Sequence, residues 1–240
     1  MGLARFEPGA IGGHTPSIPD TAPVVATPAE VRALIDAAET SRRPEYARAL
    51  LVAATTGLRR AELCGLRTRR DIDLDAKVLT VTATIVALPN APLREAPTKN
   101  RRVRTLALDE LTATVLGAQI AMVESRVQLV RVALVDDPYV FTDAVDGSVP
   151  WKPDSLSQYF DRVRRRAGLP HVTLHGLRKF METYGQEMGY SMTQVALRAG
   201  HNPAVAARYY SGKVAETDRE LARAVASLIA PGADASGGAM

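Results

Sequence analysis

Helix start and stop signals punctuate most of this chain, and they favour a mainly helical fold. Thr27 precedes Pro28 and lies three residues before Glu30, which is the pattern of a capping box at a helix N-terminus. A second helix is predicted from about Pro44 to Thr55, and Gly57 is its expected C-terminal stop because glycine adopts the left-handed conformation readily. The first part of the chain is therefore predicted to be a pair of capped helices.

The same signals recur further along the chain. A long helix is predicted from Glu110 to about Leu134, where Asp-Asp-Pro is expected to break it. Ser191, with glutamine three residues later, opens another capped helix that Gly200 closes. A last helix is predicted from about Ala215 to Ile229, with its apolar residues on one side.

A stretch in the middle of the chain has a different period. Residues 78–88 read VLTVTATIVAL and residues 101–108 read RRVRTLAL, and such runs of branched and alternating residues predict strands. We expect the two runs to form a hairpin beside a short first strand. The predicted fold is α+β and mainly α-helical, with a small antiparallel β-sheet. It occupies residues 27–230, between a disordered arm or linker at 1–26 and a disordered tail at 231–240.

Composition excludes several classes of protein. The chain has 240 residues, of which 46% are hydrophobic, and this is enough for a core. A single cysteine, Cys64, excludes an internal disulfide framework and is expected in the core. The four histidines lack the spacing of metal ligands, so we expect no zinc site. No apolar run is long enough to cross a bilayer, and we expect a soluble, cytoplasmic protein with no membrane partner.

The net charge of +4 is modest, but the arginines are grouped. Such groups could neutralise a nucleic-acid backbone, or they could simply be solvated faces. The groups are Arg67, Arg69 and Arg70; Arg101, Arg102 and Arg104; and Arg162, Arg164, Arg165 and Arg166.

Three short motifs supply the equipment for attack by a phenol on a phosphodiester. TTGLRRAEL contains Arg59, LHGLRKF contains His175 and Arg178, and RAGHNPAVAARYYSG contains His201 and two adjacent tyrosines. Arginine stays charged and can hold two phosphate oxygens at once. A phenol with a pKa of about 10 needs a base, and histidine, with a pKa of about 6.5, can accept its proton at neutral pH. Either histidine could serve.

The order and spacing of these motifs resemble the tyrosine recombinases, the family of phage and mobile-element integrases that includes Cre and the Xer proteins. The family's first box resembles TGLRxxEL and assigns Arg59 as catalytic. Its second box, His-x-x-Arg, matches His175 and Arg178. Its third box places the nucleophile nine residues after the histidine of Gly-His, which selects Tyr210 rather than Tyr209.

The resemblance implies the catalytic fold of this family and a site-specific DNA recombinase or integrase. Such an enzyme cleaves and rejoins DNA through a 3′-phosphotyrosine and uses no metal or other cofactor. Its partner would be double-stranded DNA that carries recombination sites. The resemblance implies that Arg59 and Arg178 bind the phosphate and that His201 donates a hydrogen bond to it. His175 would be the general base and Tyr210 the nucleophile. Lys99, in the turn of the hairpin, would be the acid that protonates the leaving 5′ oxygen.

Two other functions stay open at this point. A type IB topoisomerase would share the chemistry but relax supercoils, and a non-catalytic DNA-binding regulator would keep only the fold. The last helix either covers its own core or, as in the family, docks into a neighbouring protomer, which would give a homo-tetramer on DNA.

This chain departs from the family in two respects. The usual His-Thr-Phe after HGLR is replaced by Lys179, Phe180 and Met181, which changes the surroundings of Arg178. The family carries a separate helical core-binding domain, whereas only a short arm precedes Thr27, so we expect a catalytic domain alone and favour a fragment over a natively minimal protein. Glu62, one turn after Arg59, is expected to orient a basic neighbour.

Overall fold

The computed structural model describes residues 25–98, 103–200 and 216–231. Within these ranges the protein is mainly helical with antiparallel strands, as the sequence predicts, but the strands form two small sheets rather than one. The helices are α1 (Pro28–Glu39), α2 (Glu45–Thr56), α3 (Arg60–Cys64), α4 (Glu110–Val130), α5 (Pro153–Arg166), α6 (Leu174–Glu187), α7 (Met192–Ala199) and α8 (Glu216–Ser227). The strands are β1 (Ile72–Asp73), β2 (Val78–Val81), β3 (Ala83–Val86), β4 (Arg94–Pro97) and β5 (Arg104–Ala107). None of these described helices combines the length and the apolar character that a membrane span requires.

Helix α2 forms the centre of the helical core. Every residue of α2 except Arg48 is buried, and the helix contacts α1, α3, α4, α6 and α8. Because it is surrounded on all sides, its C-terminal end has a fixed position in the domain. The chain leaves that end through Gly57, in the left-handed conformation predicted for it (φ 67°), and Arg59 follows as the N-cap residue of α3.

The predicted pairing of the two strand runs is confirmed, but the sheet arrangement is more complex than one hairpin. Strand β2 pairs with β5, with Leu79 opposite Leu106, and β1 pairs with the other edge of β2. The run at 78–88 also continues into β3, which pairs with β4 in a second sheet. Strand β4 was not predicted because its four residues, Arg-Glu-Ala-Pro, show no alternation of apolar and polar side chains.

The predicted end of the longest helix was wrong. Helix α4 ends at Val130, and Arg131 takes up the left-handed conformation (φ 56°) before the Asp-Asp-Pro sequence is reached. The last buried side chain of the helix is Val127, and Leu129 is 84% exposed. Helical stability in proteins depends mostly on packing of an apolar face, so the helix ends where that packing ends.

The residues around the predicted domain boundaries are packed where they are described. Ala26 is buried immediately before the capping box of Thr27 and Glu30, which is formed as predicted. At the other end, α8 covers its own domain with Leu221, Ala222, Val225 and Ala226. Residues 1–24 and 232–240 lie outside the described ranges, so the disordered arm and tail remain predictions.

A buried ion pair fixes the ends of α7 and α8 on strand β5. The side chains of Arg198 and Asp218 are 0% and 5% exposed, and Nη1 lies 2.9 Å from Oδ1. Arg198 also donates to the carbonyls of Ala107 and Thr55, and the other oxygen of Asp218 accepts the Ala107 N–H at 2.6 Å. The two residues flank positions 201–215, so one interaction anchors both ends of that segment.

Replacing Asp218 with alanine should destabilise the domain strongly. The change leaves the Arg198 guanidinium buried without its carboxylate, and breaking a buried pair in this way costs about 3–5 kcal/mol in free energy of unfolding. Urea denaturation measures the loss. Asp136→Ala is the control, because it removes an exposed ion pair with Arg69 and should change stability little. Similar losses in the two variants would contradict the interpretation.

Gly200 ends helix α7 in the left-handed conformation, with φ 72°, as predicted. A Cβ added there would lie 2.9 Å from the guanidinium carbon of Arg104. Gly168, after α5, has the same φ of 72°, but an added Cβ there would meet nothing within 4 Å. A comparison of alanine variants at the two glycines therefore distinguishes the cost of backbone strain from the cost of a side-chain clash.

Gly200→Ala should destabilise the domain more than Gly168→Ala. Both variants put a Cβ in the left-handed region, which costs about 1–2 kcal/mol. Gly200→Ala also forces the Arg104 side chain to move, and such overpacking adds about 1–3 kcal/mol. Parallel urea titrations give the difference. Equal losses in free energy of unfolding would show that the Arg104 side chain can move aside without destabilising the domain.

Candidate active site

The turn between α2 and α3 brings the first motif to the centre of the site. Arg59 is 40% exposed at its side chain, and its backbone N–H donates to Glu62 Oε2 at 2.8 Å. Its guanidinium donates to Glu62 Oε1 at 2.9 Å and to the carbonyl of Gly200 at 3.4 Å. Arg59 therefore links its own motif to the residue that directly precedes His201, while part of its guanidinium stays accessible.

Arg178 reaches the same turn from helix α6. Its side chain is 2% exposed, Nη1 donates to the carbonyl of Gly57 at 2.8 Å, and Nε lies 3.0 Å from Glu182 Oε1. Burial, followed by the charge of nearby Arg59, lowers the pKa of Arg178 to about 10. The group still carries its charge at neutral pH. The two arginines, which are 119 positions apart in the sequence, thus interact electrostatically at one place.

His175 lies one turn before Arg178, at the start of α6. Thr173 caps this helix by accepting the N–H of Gly176 at 2.9 Å, which places His175 in the first turn. Desolvation by the surrounding protein, and then the positive charges of Arg178, Lys179 and Arg59, lower the pKa of His175, while Glu182 acts in the opposite sense. The imidazole is therefore neutral at neutral pH and able to accept a proton.

The replacement that distinguishes this chain from the family pattern does not expose Arg178. Phe180 and Met181 are buried, and Lys179 is partly exposed beside His175. A Cβ added to Gly57 would lie 2.3 Å from Met181 Cε, so the methionine fills the space next to the turn that holds Arg178.

A buried carboxylate connects the site to the sheet. Glu62 is 2% exposed, as expected for a residue that orients a basic neighbour, but it binds two arginines rather than one. Arg104, at the start of β5, donates Nη1 to Oε1 at 3.0 Å and Nη2 to Oε2 at 2.8 Å. Burial alone would raise the pKa of Glu62, yet the hydrogen bonds and charge of Arg104, and then those of Arg59, lower it to about 2.

The interpretation of Arg104 as part of a phosphate-binding group is corrected by this geometry. Its side chain is only 13% exposed, and its Nε donates to the carbonyl of Arg198 at 3.2 Å. The sequence contained a signal for this. Alternation along β5 puts Arg104 on the same face as Leu106, which is buried, and a charge on a buried face implies an acidic partner.

The first arginine group also makes ion pairs within the protein. Arg67 and Arg70 both pair with Glu95 on β4, and Arg69 pairs with Asp136. The two pairs with Glu95 hold strand β4 against the loop that follows α3. In the third group, two of the four arginines pair with one aspartate of the same helix: Arg164 and Arg165 with Asp161.

Three of the six predicted catalytic residues lie outside the described ranges. Arg59, His175 and Arg178 are brought together by the turn after α2 and the start of α6. Lys99 falls in the gap between β4 and β5, and His201 and Tyr210 fall in the gap between α7 and α8. The described flanks of these gaps, Arg104 and Gly200, both contact the residues of the first motif.

A model of the phage integrase family matches residues 25–216. The prophage phiRv2 integrase of Mycobacterium tuberculosis strain H37Rv is 27% identical over 183 residues, which cover 76% of this chain and 46% of that protein. The chain thus spans about half the length of the curated relatives it matches.

Solved structures give the same fold. The Tn1549 transposon integrase, in complex with a circular intermediate DNA, is similar with a TM-score of 0.62 at 19% identity over 85% of this chain and 66% of that one. XerA recombinase has a TM-score of 0.57 at 22% identity, over 85% and 65% of the two chains. The integrase of mycobacterium phage Brujita has a TM-score of 0.60 at 18% identity, over 90% and 66%. The family model covers most of the sequence, and the chain therefore belongs to the phage integrase family and has the tyrosine recombinase catalytic fold.

Proposed function

We propose that this chain is the catalytic domain of a site-specific DNA recombinase or integrase that cuts and rejoins DNA through a 3′-phosphotyrosine. The observation that carries the proposal is the convergence of Arg59, Arg178 and a neutral His175 at one turn. Membership of the phage integrase family supports it. The Tn1549 neighbour is described in complex with circular intermediate DNA, and double-stranded DNA is the substrate that we propose here.

The charge of the site suits a phosphodiester in its transition state. Arg59, Arg104 and Arg178 contribute three positive charges, against the two negative charges of Glu62 and Glu182. The family pattern assigns phosphate binding to Arg59 and Arg178, and Arg104, which forms two hydrogen bonds to Glu62, is not among the residues it names. Loss of a single such donor in other enzymes costs about 3–4 kcal/mol of transition-state stabilisation.

We assign the remaining roles by the family pattern. Tyr210 Oη attacks phosphorus, His175 accepts the phenolic proton, and the bond from phosphorus to the 5′ oxygen breaks. Lys99 donates a proton to that oxygen, which leaves as a hydroxyl, and His201 donates a hydrogen bond to the phosphate. The phosphotyrosyl ester keeps the energy of the broken bond, so a 5′ hydroxyl of a partner strand can reseal it without a cofactor.

The assembly and the location of the reaction are part of the same proposal. Joining two sites requires a subunit at each cleaved strand, for which a homo-tetramer on DNA is the expected form. Helix α8 covers its own domain in the single chain, so a tetramer that uses this helix requires it to contact a neighbour as well or instead. With double-stranded DNA as the substrate, the location that we propose for the reaction is the cytoplasm.

Tyr210→Phe should abolish covalent capture of DNA, whereas Tyr209→Phe should not. Incubation of the wild-type protein with a pool of randomised duplexes, recovery of detergent-stable complexes and sequencing of the attached DNA identify the cut sequence. That sequence is then synthesised with a nick near the cut. The short strand that carries the new 5′ hydroxyl then diffuses away, and the covalent adduct is trapped. The family's spacing of nine residues from the histidine of Gly-His selects Tyr210 rather than Tyr209 as the nucleophile.

Peptide mapping of the trapped complex locates the attachment. DNA attached to Tyr210 is the expected result, and attachment to Tyr209 would overturn the assignment. The absence of any adduct with the wild-type protein, under conditions where it binds the duplex, would contradict the proposed function itself. Because both variants remove a single hydroxyl, each serves as the folding control for the other.

The cleavage rate should fall only at acidic pH, where His175 becomes protonated and can no longer act as the base. His175 acts when neutral, and because its pKa is lowered, the neutral form persists below the ordinary value of about 6.5. Lys179→Met removes one of the charges that lower this pKa, so the acidic fall in rate should move to higher pH. Single-turnover rates across the acidic range measure it. Arg42→Met is the control, since this exposed arginine is not among the charges that shift His175. An identical shift in both variants would contradict the assignment.

A further inference from the structure

We infer that Arg104 is a positioning residue for Arg59: by saturating the Glu62 carboxylate, it leaves the Arg59 guanidinium available to the scissile phosphate. This inference rests on the proposed function. It concerns a residue that does not touch the substrate and acts only through the carboxylate.

The hydrogen bonds of Glu62 carry the inference. Oε1 accepts from Arg59 Nη1 at 2.9 Å and from Arg104 Nη1 at 3.0 Å. Oε2 accepts from the Arg59 backbone N–H at 2.8 Å and from Arg104 Nη2 at 2.8 Å. A carboxylate has about four sites for accepting hydrogen bonds, so the two arginines fill it, and Arg104 takes half of its capacity.

Removal of Arg104 would leave a buried carboxylate with two empty acceptor sites. Buried charges need full compensation, and Arg59 is the remaining cation in contact with Glu62 among the described residues. Its guanidinium would therefore turn toward the carboxylate and form a two-bonded pair. In the present arrangement one Nη bonds Glu62 and the other reaches the Gly200 carbonyl, so the side chain stays 40% exposed.

Arginine is required at position 104 because its three nitrogens donate hydrogen bonds to different acceptors. Two bond the two oxygens of Glu62, and the third, Nε, bonds the carbonyl of Arg198 near the end of α7. A lysine is a single point donor and cannot span both carboxylate oxygens in this planar geometry. Arg104→Lys therefore keeps the charge while removing the positioning.

The test compares two substrates that share the sequence identified by adduct capture. One carries the ordinary scissile phosphate. In the other, a methyl group replaces a non-bridging oxygen, which removes the negative charge that Arg59 would stabilise. Loss of intact strand in single turnover is measured, because this counts both the adduct and any product of its hydrolysis.

Arg104→Lys should slow cleavage of the ordinary phosphate about a hundredfold, the size of effect that a small misplacement of a catalytic group produces. On the methylphosphonate the loss should be less than about tenfold, since the charge that requires Arg59 is absent. Duplex binding should be unchanged. Equal losses on both substrates, or wild-type cleavage by this variant, would overturn the inference.

Arg43→Lys is the matched control. Glu45 is also buried, and it is also shared by two arginines, Arg43 at 2.7 Å and Arg126 at 3.6 Å, but none of these residues contacts the site among the described residues. This variant should cleave both substrates as the wild-type protein does. A loss like that of Arg104→Lys would show that any disturbed buried pair slows the reaction, and the inference would fail.

A second pair of variants decides the matter if Arg104→Lys does not fold, as judged by its thermal unfolding. Arg104→Met leaves Glu62 charged and able to draw in Arg59. Adding Glu62→Gln removes the negative charge, so no buried carboxylate is left without its Arg104 partner. The double variant should cleave faster than Arg104→Met, and an equal or slower rate would refute the positioning role. Absence of cleavage by the wild-type protein would count against the proposed function and not against Arg104.

Discussion

Three guanidinium groups lie close enough to repel one another, and the rest of this site has to compensate their charge. Arg59, Arg104 and Arg178 influence one another electrostatically, and arginine cannot escape by losing its proton in the working pH range. Glu62 compensates two of them directly and Glu182 pairs with the third. Burial, and then the charges of Arg59 and Arg104, lower the pKa of Arg178. The phosphodiester that we propose as substrate would supply negative charge at that place.

The fold meets this constraint by joining elements that are far apart in sequence. Arg104 brings strand β5 to Glu62, and Arg59 reaches the end of α7. The buried pair of Arg198 and Asp218 then ties α7 and α8 to β5. Each connection fixes the described flank of a segment that carries a predicted catalytic residue, Lys99 on one side and His201 and Tyr210 on the other. The same interactions therefore stabilise the domain and fix the described residues that flank both segments.

Local features of the sequence were predictable, and nonlocal pairings were not. The capping boxes at Thr27 and Ser191 and the helix stop at Gly57 depend on residues within one turn, so the sequence contains their full cause. Arg59, the local partner of Glu62, was expected, but its second partner, Arg104, lies 42 positions away, and nothing within one turn of Glu62 indicates it. Strand β4 was missed for a related reason. It is an edge strand held by pairing with β3 and by ion pairs of Glu95, and neither depends on an apolar pattern.

The glycines of the first and third motifs acquire a physical explanation from the hydrogen bonds of the arginines. A helix leaves its last carbonyls without partners, and these carry the negative end of the helix dipole. Gly57, after α2, offers its carbonyl to Arg178, and Gly200, after α7, offers its carbonyl to Arg59. Each glycine ends its helix in the left-handed conformation, which turns the chain sharply and presents these oxygens at the site. A glycine of one motif thus accepts a hydrogen bond from the arginine of another: Gly57 of the first motif from Arg178 of the second, and Gly200 of the third motif from Arg59 of the first.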